Sequence, residues 1–375
     1  MRVAFGITAL NRGRAQNALD GIANYSQALL RQLQQNTALS VIPFSFSHAS
    51  TAADNEGALN FGPFMPQAVF AHYSGLSFPL MTRGKLRAVD LVHATDHRIP
   101  VSSNVPVLAT LMDAIPLSHP EWVSMRFRTQ KNALWKNAAR KAQHILTISD
   151  YSKIEIMRWF DIPEAKISVV PLGVDAHWFD APCTEAKERL AARYALPPRY
   201  FLFLGTLQPR KNLLRLIEAH RRLPAALRHE FPLVVAGRKG WACDAEIAAL
   251  QSGDKGCLRW LNYVPAADIQ ALVHGASAML LPSLYEGFGL PVLEAFAAGA
   301  PVICSNTSSL PEVAGDAALL VDPYSVTDMA SAMTRIVENE GLADTLRMHG
   351  LERARHFSWQ QTAALTAACY LQVGS

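Results

Sequence analysis

The stretch Ala278-Met279-Leu280-Leu281-Pro282-Ser283-Leu284-Tyr285-Glu286-Gly287-Phe288-Gly289-Leu290-Pro291-Val292-Leu293-Glu294-Ala295-Phe296-Ala297-Ala298-Gly299 carries three structural signals in order. Ala278 to Leu281 is a short apolar run that suits a buried strand. Gly287 and Gly289 let the backbone approach a ligand closely. Pro291 fits the first position of a helix, whose N-terminal amides and positive potential favour a phosphate. Glu294 then falls in the first turn and can reach the same crevice as Glu286.

Working outward, short apolar runs alternate with helical patterns along the whole chain, the rhythm of parallel sheets wrapped by helices in an α/β fold. One series opens with a strand at Arg2 to Ile7, turns through a polar stretch to Asp20-Gly21, and enters a helix with Ile22, Tyr25, Leu29, Leu30 and Leu33 on one face. It continues through Leu91 to His93, Val105 to Leu111, His144 to Ser149 and Ile167 to Val170, and breaks at Pro171-Leu172-Gly173. A polar linker is expected near residues 172 to 198. The second series starts at Tyr200 to Gly205 and continues through Leu233 to Ala236, Leu258 to Leu261, Ala278 to Leu281, Val302 to Cys304 and Leu319 to Val321. Three segments follow: an N-terminal Rossmann-like domain over 1–175, a second over 176–356, and a helix over 357–375 that crosses back to the first.

Composition agrees with this division. Half of the 375 residues are hydrophobic and 18% are charged, enough for large cores and a length that suits roughly two domains. Apolar runs such as Ala278 to Leu281 fall far short of the ~18 residues of a bilayer span. Met1 to Leu10 could pass for the core of a secretion signal, but Asn11-Arg12-Gly13-Arg14 stands where small cleavage-site residues belong. Five scattered cysteines without Cys-x-x-Cys offer neither a zinc site nor a disulfide framework, and read as packed thiols in a reducing cytoplasm. A formal charge of +4 does not imply nucleic-acid binding. Trp122 to Ser149 nonetheless holds six bases, Arg126, Arg128, Lys131, Lys136, Arg140 and Lys141, and no acid. They scatter around a helix, so a solvated helix is the first reading, and peripheral contact of segment 126–141 with an anionic lipid or lipid-linked acceptor is the second.

Ligands of open α/β sheets sit beyond the carboxyl ends of strands. After Phe203 the chain reads Gly205-Thr206-Leu207-Gln208-Pro209-Arg210-Lys211-Asn212, with a helix expected from near Leu213. Two cations at a helix start oppose its dipole unless an anion lies nearby, so Arg210 and Lys211 suit a diphosphate; the alternative is a solvated helix start.

Pro282 to Val302, with its Glu-x7-Glu spacing, resembles the donor-site signature of glycosyltransferase family 4. Ser149 to Ser152, Val170 to Asp175, Gly205 to Asn212, Gly237-Arg238-Lys239-Gly240-Trp241 and Leu310 to Gly315 resemble further segments of that family in order, and coverage runs from Asp20 to about Trp359. The resemblance implies a GT-B fold, two Rossmann-like domains facing across a cleft, the first for the acceptor and the second for a nucleotide-diphosphate sugar. It implies that Arg210 and Lys211 neutralise the donor diphosphate, that amides of Phe288, Gly289 and Leu290 hold phosphate and sugar beside Gly287, and that Glu286 grips the sugar and Glu294 the ribose. Tyr263 and Val264 would border the base, Arg238 would stand at the donor site, and Gly21 and Ile22 would close over the diphosphate. The chain has no Asp-x-Asp, so these cations replace a bridging metal: neither metal nor cofactor is expected.

Two departures carry information. Relatives often read Gly-Arg where this chain has Gly205-Thr206, which shifts phosphate charge onto Arg210. Met112 replaces a histidine that relatives associate with the 6-hydroxyl of the donor sugar, and a thioether suits an apolar 6-position. Asp113 reads as an acceptor-side carboxylate or as a loop cap. His93, His97 and His119 read as core or solvated, Trp241 as a cleft wall or packing, and Ser149 with Ser152 as a helix cap.

The resulting expectation is a retaining transferase moving mannose from GDP-mannose to a saccharide or polyprenyl-diphosphate-linked acceptor, in bacterial O-antigen or exopolysaccharide synthesis at the inner face of the cytoplasmic membrane. Alternatives are a GDP-6-deoxyhexose (rhamnose or fucose) or a UDP-sugar as donor, a nucleotide-sugar epimerase, and a non-catalytic nucleotide-sugar-binding protein. Phe44 to Ser74 carries aromatics and glycines but no decodable motif.

Overall fold

The structure is a computed structural model and describes residues 1–16, 19–46, 58–76, 89–102, 104–123, 126–254 and 256–374. The chain divides into two compact units, Met1–Gly173 with Trp359–Ser375, and Val174–Ser358. The break falls two residues before the expected start of the second domain, at Val174, which bridges to Ser358.

The first unit holds a parallel sheet of β1 (Arg2–Gly6), β2 (Ser40–Ser45), β3 (Leu59–Asn60), β4 (Leu91–Ala94), β5 (Val107–Thr110), β6 (His144–Thr147) and β7 (Ile167–Val169), in the order β3-β2-β1-β4-β5-β6-β7. The four residues of each of β4, β5 and β6 are all buried, as central parallel strands covered on both faces require. Phe44 stacks on Phe61 at 4.4 Å and Trp135 meets Phe160 edge-on at 4.7 Å within the core. The closing helix Trp359–Gly374 packs against the helix Gly21–Leu33, buries Tyr370 completely, and donates from Thr362 to the carbonyl of Pro171 at 2.8 Å.

Two elements here were hidden by composition. The stretch expected as a polar turn forms the helix Thr8–Ala15, which buries only Ala9, Leu10 and Gly13. Strand β2 contains Pro43, tolerated because its outer neighbour β3 pairs only with Phe44 and Ser45.

The second unit holds β8 (Phe201–Leu204), β9 (Leu233–Ala236), β10 (Leu258–Asn262), β11 (Ala278–Leu281), β12 (Val302–Ser305) and β13 (Leu319–Val321), parallel in the order β10-β9-β8-β11-β12-β13. Strand order reverses between β8 and β11 here, and between β1 and β4 in the first unit. Those switch points are where such sheets open a crevice beyond their carboxyl ends. The expected linker is a correction: it folds as a short turn of helix, Ala176–Phe179, and the helix Thr184–Tyr194. That helix is tied down where Arg193 and Tyr194 reach Asp268 at 3.0 and 2.9 Å. Only Leu190 of the helix is buried, so its sequence reads as solvent-facing.

Four cysteines are buried and Cys183 is exposed, so the packed-thiol reading fails there. Cys257 stands with His229 and Asp254, their potential ligand atoms within 4.8 Å of one another, at the amino end of β10 and so away from the carboxyl-end loops. Ser149 caps its helix as expected, accepting from the Ser152 amide at 3.0 Å.

Candidate active site

In the second unit the loops after β8 and β11, the two strands at the switch point, are locked together. Pro209–Lys211 forms a single helical turn and Asn212 takes a left-handed φ of 61° before the helix Leu213–Arg221. The Asn212 amide donates to the carbonyls of Pro282 at 3.0 Å and Pro323 at 2.6 Å, and the Leu284 amide donates to the Arg210 carbonyl at 2.8 Å. Gly237 at the end of neighbouring β9 lies so close that a Cβ there would meet the Gly205 carbonyl at 1.9 Å.

This scaffold brings Arg210, Lys211 and Glu286 into one cluster. Arg210 Nη1 lies 3.0 Å from Glu286 Oε2 and also donates to the Tyr285 carbonyl at 3.0 Å. Lys211 Nζ lies 2.5 Å from Glu286 Oε1, which also accepts from the Ser283 hydroxyl at 2.7 Å. Lys211 is 8% exposed and Glu286 7%. Burial alone would raise the Glu286 carboxyl, but the charges of Lys211 and Arg210 outweigh it and hold it at about 2. Burial lowers Lys211, opposed by the same carboxylate. Two cations and a carboxylate thus meet in a poorly solvated place.

Beyond Glu286, Gly289 precedes the helix Leu290–Ala297 with φ 108°, and a Cβ there would lie 2.7 Å from Leu310, so only glycine fits. The Ser309 hydroxyl lies 2.8 Å from the carbonyls of both Glu286 and Phe288 and shares its one proton between them, and the Glu286 amide donates to the Ser308 hydroxyl at 3.1 Å. The loop's carbonyls are thereby turned onto Ser309. No hydrogen bond among the described residues engages the N–H groups of Phe288, Gly289 and Leu290, which are free donors at a helix start. Pro291 occupies the second helical position and Glu294 the fifth, so Glu294 stands past the first turn where it was expected. Burial, then the charge of Asp175, raises its carboxyl to about 7 although part of the residue remains open to solvent.

At the end of β10, Tyr263 is half-exposed with the Arg238 guanidinium 3.8 Å from its ring centre, and Val264 is buried beside it in sequence. These two side chains offer a flat, cationic platform.

The first unit carries a cavity of about 630 Å³ near its own switch point, reached by Ile22, Asp96, Arg98, Met112, Asp113 and Lys131 among others. Asp113 accepts from the Ile115 amide at 3.0 Å, so it caps the loop and lines the cavity at once. The Met112 carbonyl accepts from Ser152 at 3.0 Å, which fixes the backbone at that position. Gly21 opens the helix Gly21–Leu33, whose cap Asp20 accepts from the Ala23 amide at 2.9 Å, and a Cβ on Gly21 would meet nothing within 4 Å. Sequence reasoning missed Asp96, which is 6% exposed and paired with Arg98 at 2.5 Å, because one aspartate after a short strand carries no motif. It also missed Asn212 and Ser309; for Asn212 the signal was available, since asparagine is a residue that accepts a left-handed backbone.

Two parallel sheets in Rossmann-like order, with polar clusters beyond their switch points, define the GT-B class of α/β fold. Residues 19–178 match the model described as Glycosyltransferase Family 4, and residues 187–353 match Glycosyl transferases group 1. The chain belongs to glycosyltransferase family 4. It is 36% identical over 230 residues to the O-antigen chain mannosyltransferase B of Escherichia coli, covering 61% of this chain and 60% of that protein. It is 31% identical over 239 residues to the MMP alpha-(1->4)-mannosyltransferase of Mycolicibacterium hassiacum, covering 63% and 55%. The matches thus span less than two thirds of either relative. Among solved structures, Anabaena HepE in complex with UDP superposes with a TM-score of 0.75 at 15% identity, over 99% of this chain and 100% of that one.

Proposed function

We propose that this chain is a retaining hexosyltransferase that moves mannose from GDP-mannose onto a saccharide acceptor, carried on a polyprenyl diphosphate, in O-antigen or exopolysaccharide synthesis. Two relatives with different acceptors in their names are both mannosyltransferases, which supports mannose ahead of other hexoses. The observation that carries the reading is the Arg210–Glu286–Lys211 cluster beside three free amides at a helix start. Cleaving the bond between the anomeric carbon and the diphosphate leaves negative charge on the departing oxygens. Fixed donors already aimed at that place lower the barrier without reorganisation. Arg210 and Lys211 supply charge and the amides of Phe288, Gly289 and Leu290 supply dipoles, so no divalent metal is required. Glu286 keeps the cations ordered and meets the sugar's hydroxyls, Glu294 receives the ribose, Arg238 with Tyr263 and Val264 border the base, and Asp113 faces the acceptor. Gly21 and Ile22 act on the donor diphosphate.

A second donor class, a GDP-6-deoxyhexose, is favoured by Met112 at the cavity, where a thioether offers no hydrogen to a 6-hydroxyl. The test is transfer of labelled sugar from purified GDP- and UDP-sugars, run in EDTA, with the product's anomeric configuration determined. GDP-mannose turning over fastest, with retention, supports the first reading. An isomerised nucleotide sugar with no transfer refutes both.

A further inference from the structure

The helix Phe64–Ser74 inverts the pattern of a surface helix. It contains no Asp, Glu, Lys or Arg, buries the small residues Ala68 and Ala71, and turns large apolar residues outward. Met65 is 40% exposed, Val69 39%, Phe70 47% and Tyr73 85%, with Leu76 at 49% just beyond its end. Met65, Val69 and Tyr73 follow one another at four-residue steps and so share a face. A surface helix ordinarily hides such residues and shows polar ones.

This helix packs against the basic helix Arg128–Lys141. Arg140 is paired with Asp161 at 2.5 Å, and Arg128 donates to the Pro120 carbonyl and lies near Glu121, while Arg126, Lys131, Lys136 and Lys141 have no ion-pair partner among the described residues. Phe127, 67% exposed, stands at the start of the basic helix with the Arg126 guanidinium 5.8 Å from its ring centre. An apolar outward face thus lies beside a set of unpaired cations. A second copy of the chain is a poor occupant, because a two-fold interface would bring the same cations against one another.

We infer that this face seats on an anionic phospholipid bilayer, with Val69, Phe70 and Tyr73 entering the headgroup boundary and the neighbouring cations meeting lipid phosphates. Burial of apolar side chains and attraction of bases to anionic lipid are the two terms that hold a protein flat on a membrane. Phe64, Met65, Lys131 and Trp135 of these two helices also line the cavity of the first unit. Docking through them brings that cavity to the lipid surface, where a lipid-borne acceptor would be met; this use of the face rests on the proposed function.

The test is co-sedimentation of the full chain with vesicles of phosphatidylcholine alone and with added phosphatidylglycerol. Alongside the wild type run Val69→Ser/Phe70→Ser/Tyr73→Ser and Lys136→Glu/Lys141→Glu, which leave the cavity-lining Met65 and Lys131 in place. Transfer to a water-soluble acceptor and sedimentation without lipid are measured on the same preparations. The wild type is expected on the anionic vesicles only. The apolar variant should lose roughly tenfold in partitioning, and the lysine variant about fivefold per charge, with soluble transfer retained. Equal binding to neutral vesicles, or undiminished binding by the lysine variant, overturns the inference, as does a dimer that the apolar variant dissolves while no vesicle is bound. Vesicle binding without any transfer leaves the docking face standing and sinks the proposed function instead.

Discussion

Lys211 Nζ lies 2.5 Å from Glu286 Oε1, and both residues are almost wholly withdrawn from water. Such a pair gains less from its attraction than it loses when one partner is removed, because the remaining charge is then stranded. Lys211→Met should cost roughly 3 kcal/mol, toward the lower end of such effects because Arg210 still faces the carboxylate. Adding Glu286→Gln should recover part of that. Urea unfolding of both variants checks it, and a double variant weaker than the single contradicts the pairing. The Glu286 carboxyl is held below its ordinary value, so the pair's contribution is complete above pH 4.5 and lost as pH falls toward about 2.

Glu294 runs the opposite way. Its carboxyl is raised to about 7 by burial and by Asp175, so its contribution is present below pH 4.5 and is lost as pH rises through about 7. The loss amounts to roughly 1–3 kcal/mol, reduced by the partial exposure of the residue. Glu294→Gln should flatten that part of the stability profile between pH 5 and 8. If the ionised form receives the ribose, donor affinity of the wild type rises over the same interval.

Met112 bears on donor choice. Restoring a hydrogen-bonding side chain with Met112→His should raise the ratio of kcat/KM for GDP-mannose over a GDP-6-deoxyhexose by about tenfold, the worth of one good hydrogen bond to a hydroxyl. An unchanged ratio removes Met112 from the specificity argument.

His93 links Tyr370 and Thr110 inside the first unit, with hydrogen bonds of 2.6 and 2.7 Å, and Thr110 continues to Tyr25 at 2.9 Å. Burial lowers the His93 ring to about 3, so it is neutral at working pH and needs both partners. Tyr370→Phe should therefore cost about 1–3 kcal/mol in thermal unfolding while leaving the KM for donor unchanged.

The central strands were legible because parallel strands buried on both faces read as short apolar runs, and β9 and β11 match their expected bounds residue for residue, as does the less buried edge strand β13. The helices Thr8–Ala15 and Thr184–Tyr194 were not, since each buries at most three residues and so shows solvent-like composition. The loops bearing Arg210, Lys211 and Glu286 stood out because glycines and paired charges have few structural uses together. Ser309 acts through partners distant in sequence, and a single chain gives no sign of such pairings, while Asp96 pairs with its near neighbour Arg98, an arrangement that carries no motif.

The most direct measurement is calorimetric titration of GDP into the wild type and Lys211→Ala, with turnover followed on both. The wild type should bind GDP, and the variant should bind at least roughly tenfold more weakly, the worth of one charged hydrogen bond, and transfer no sugar. GDP affinity and turnover unchanged in the folded variant would contradict the assignment of Lys211 and its neighbours to the donor diphosphate.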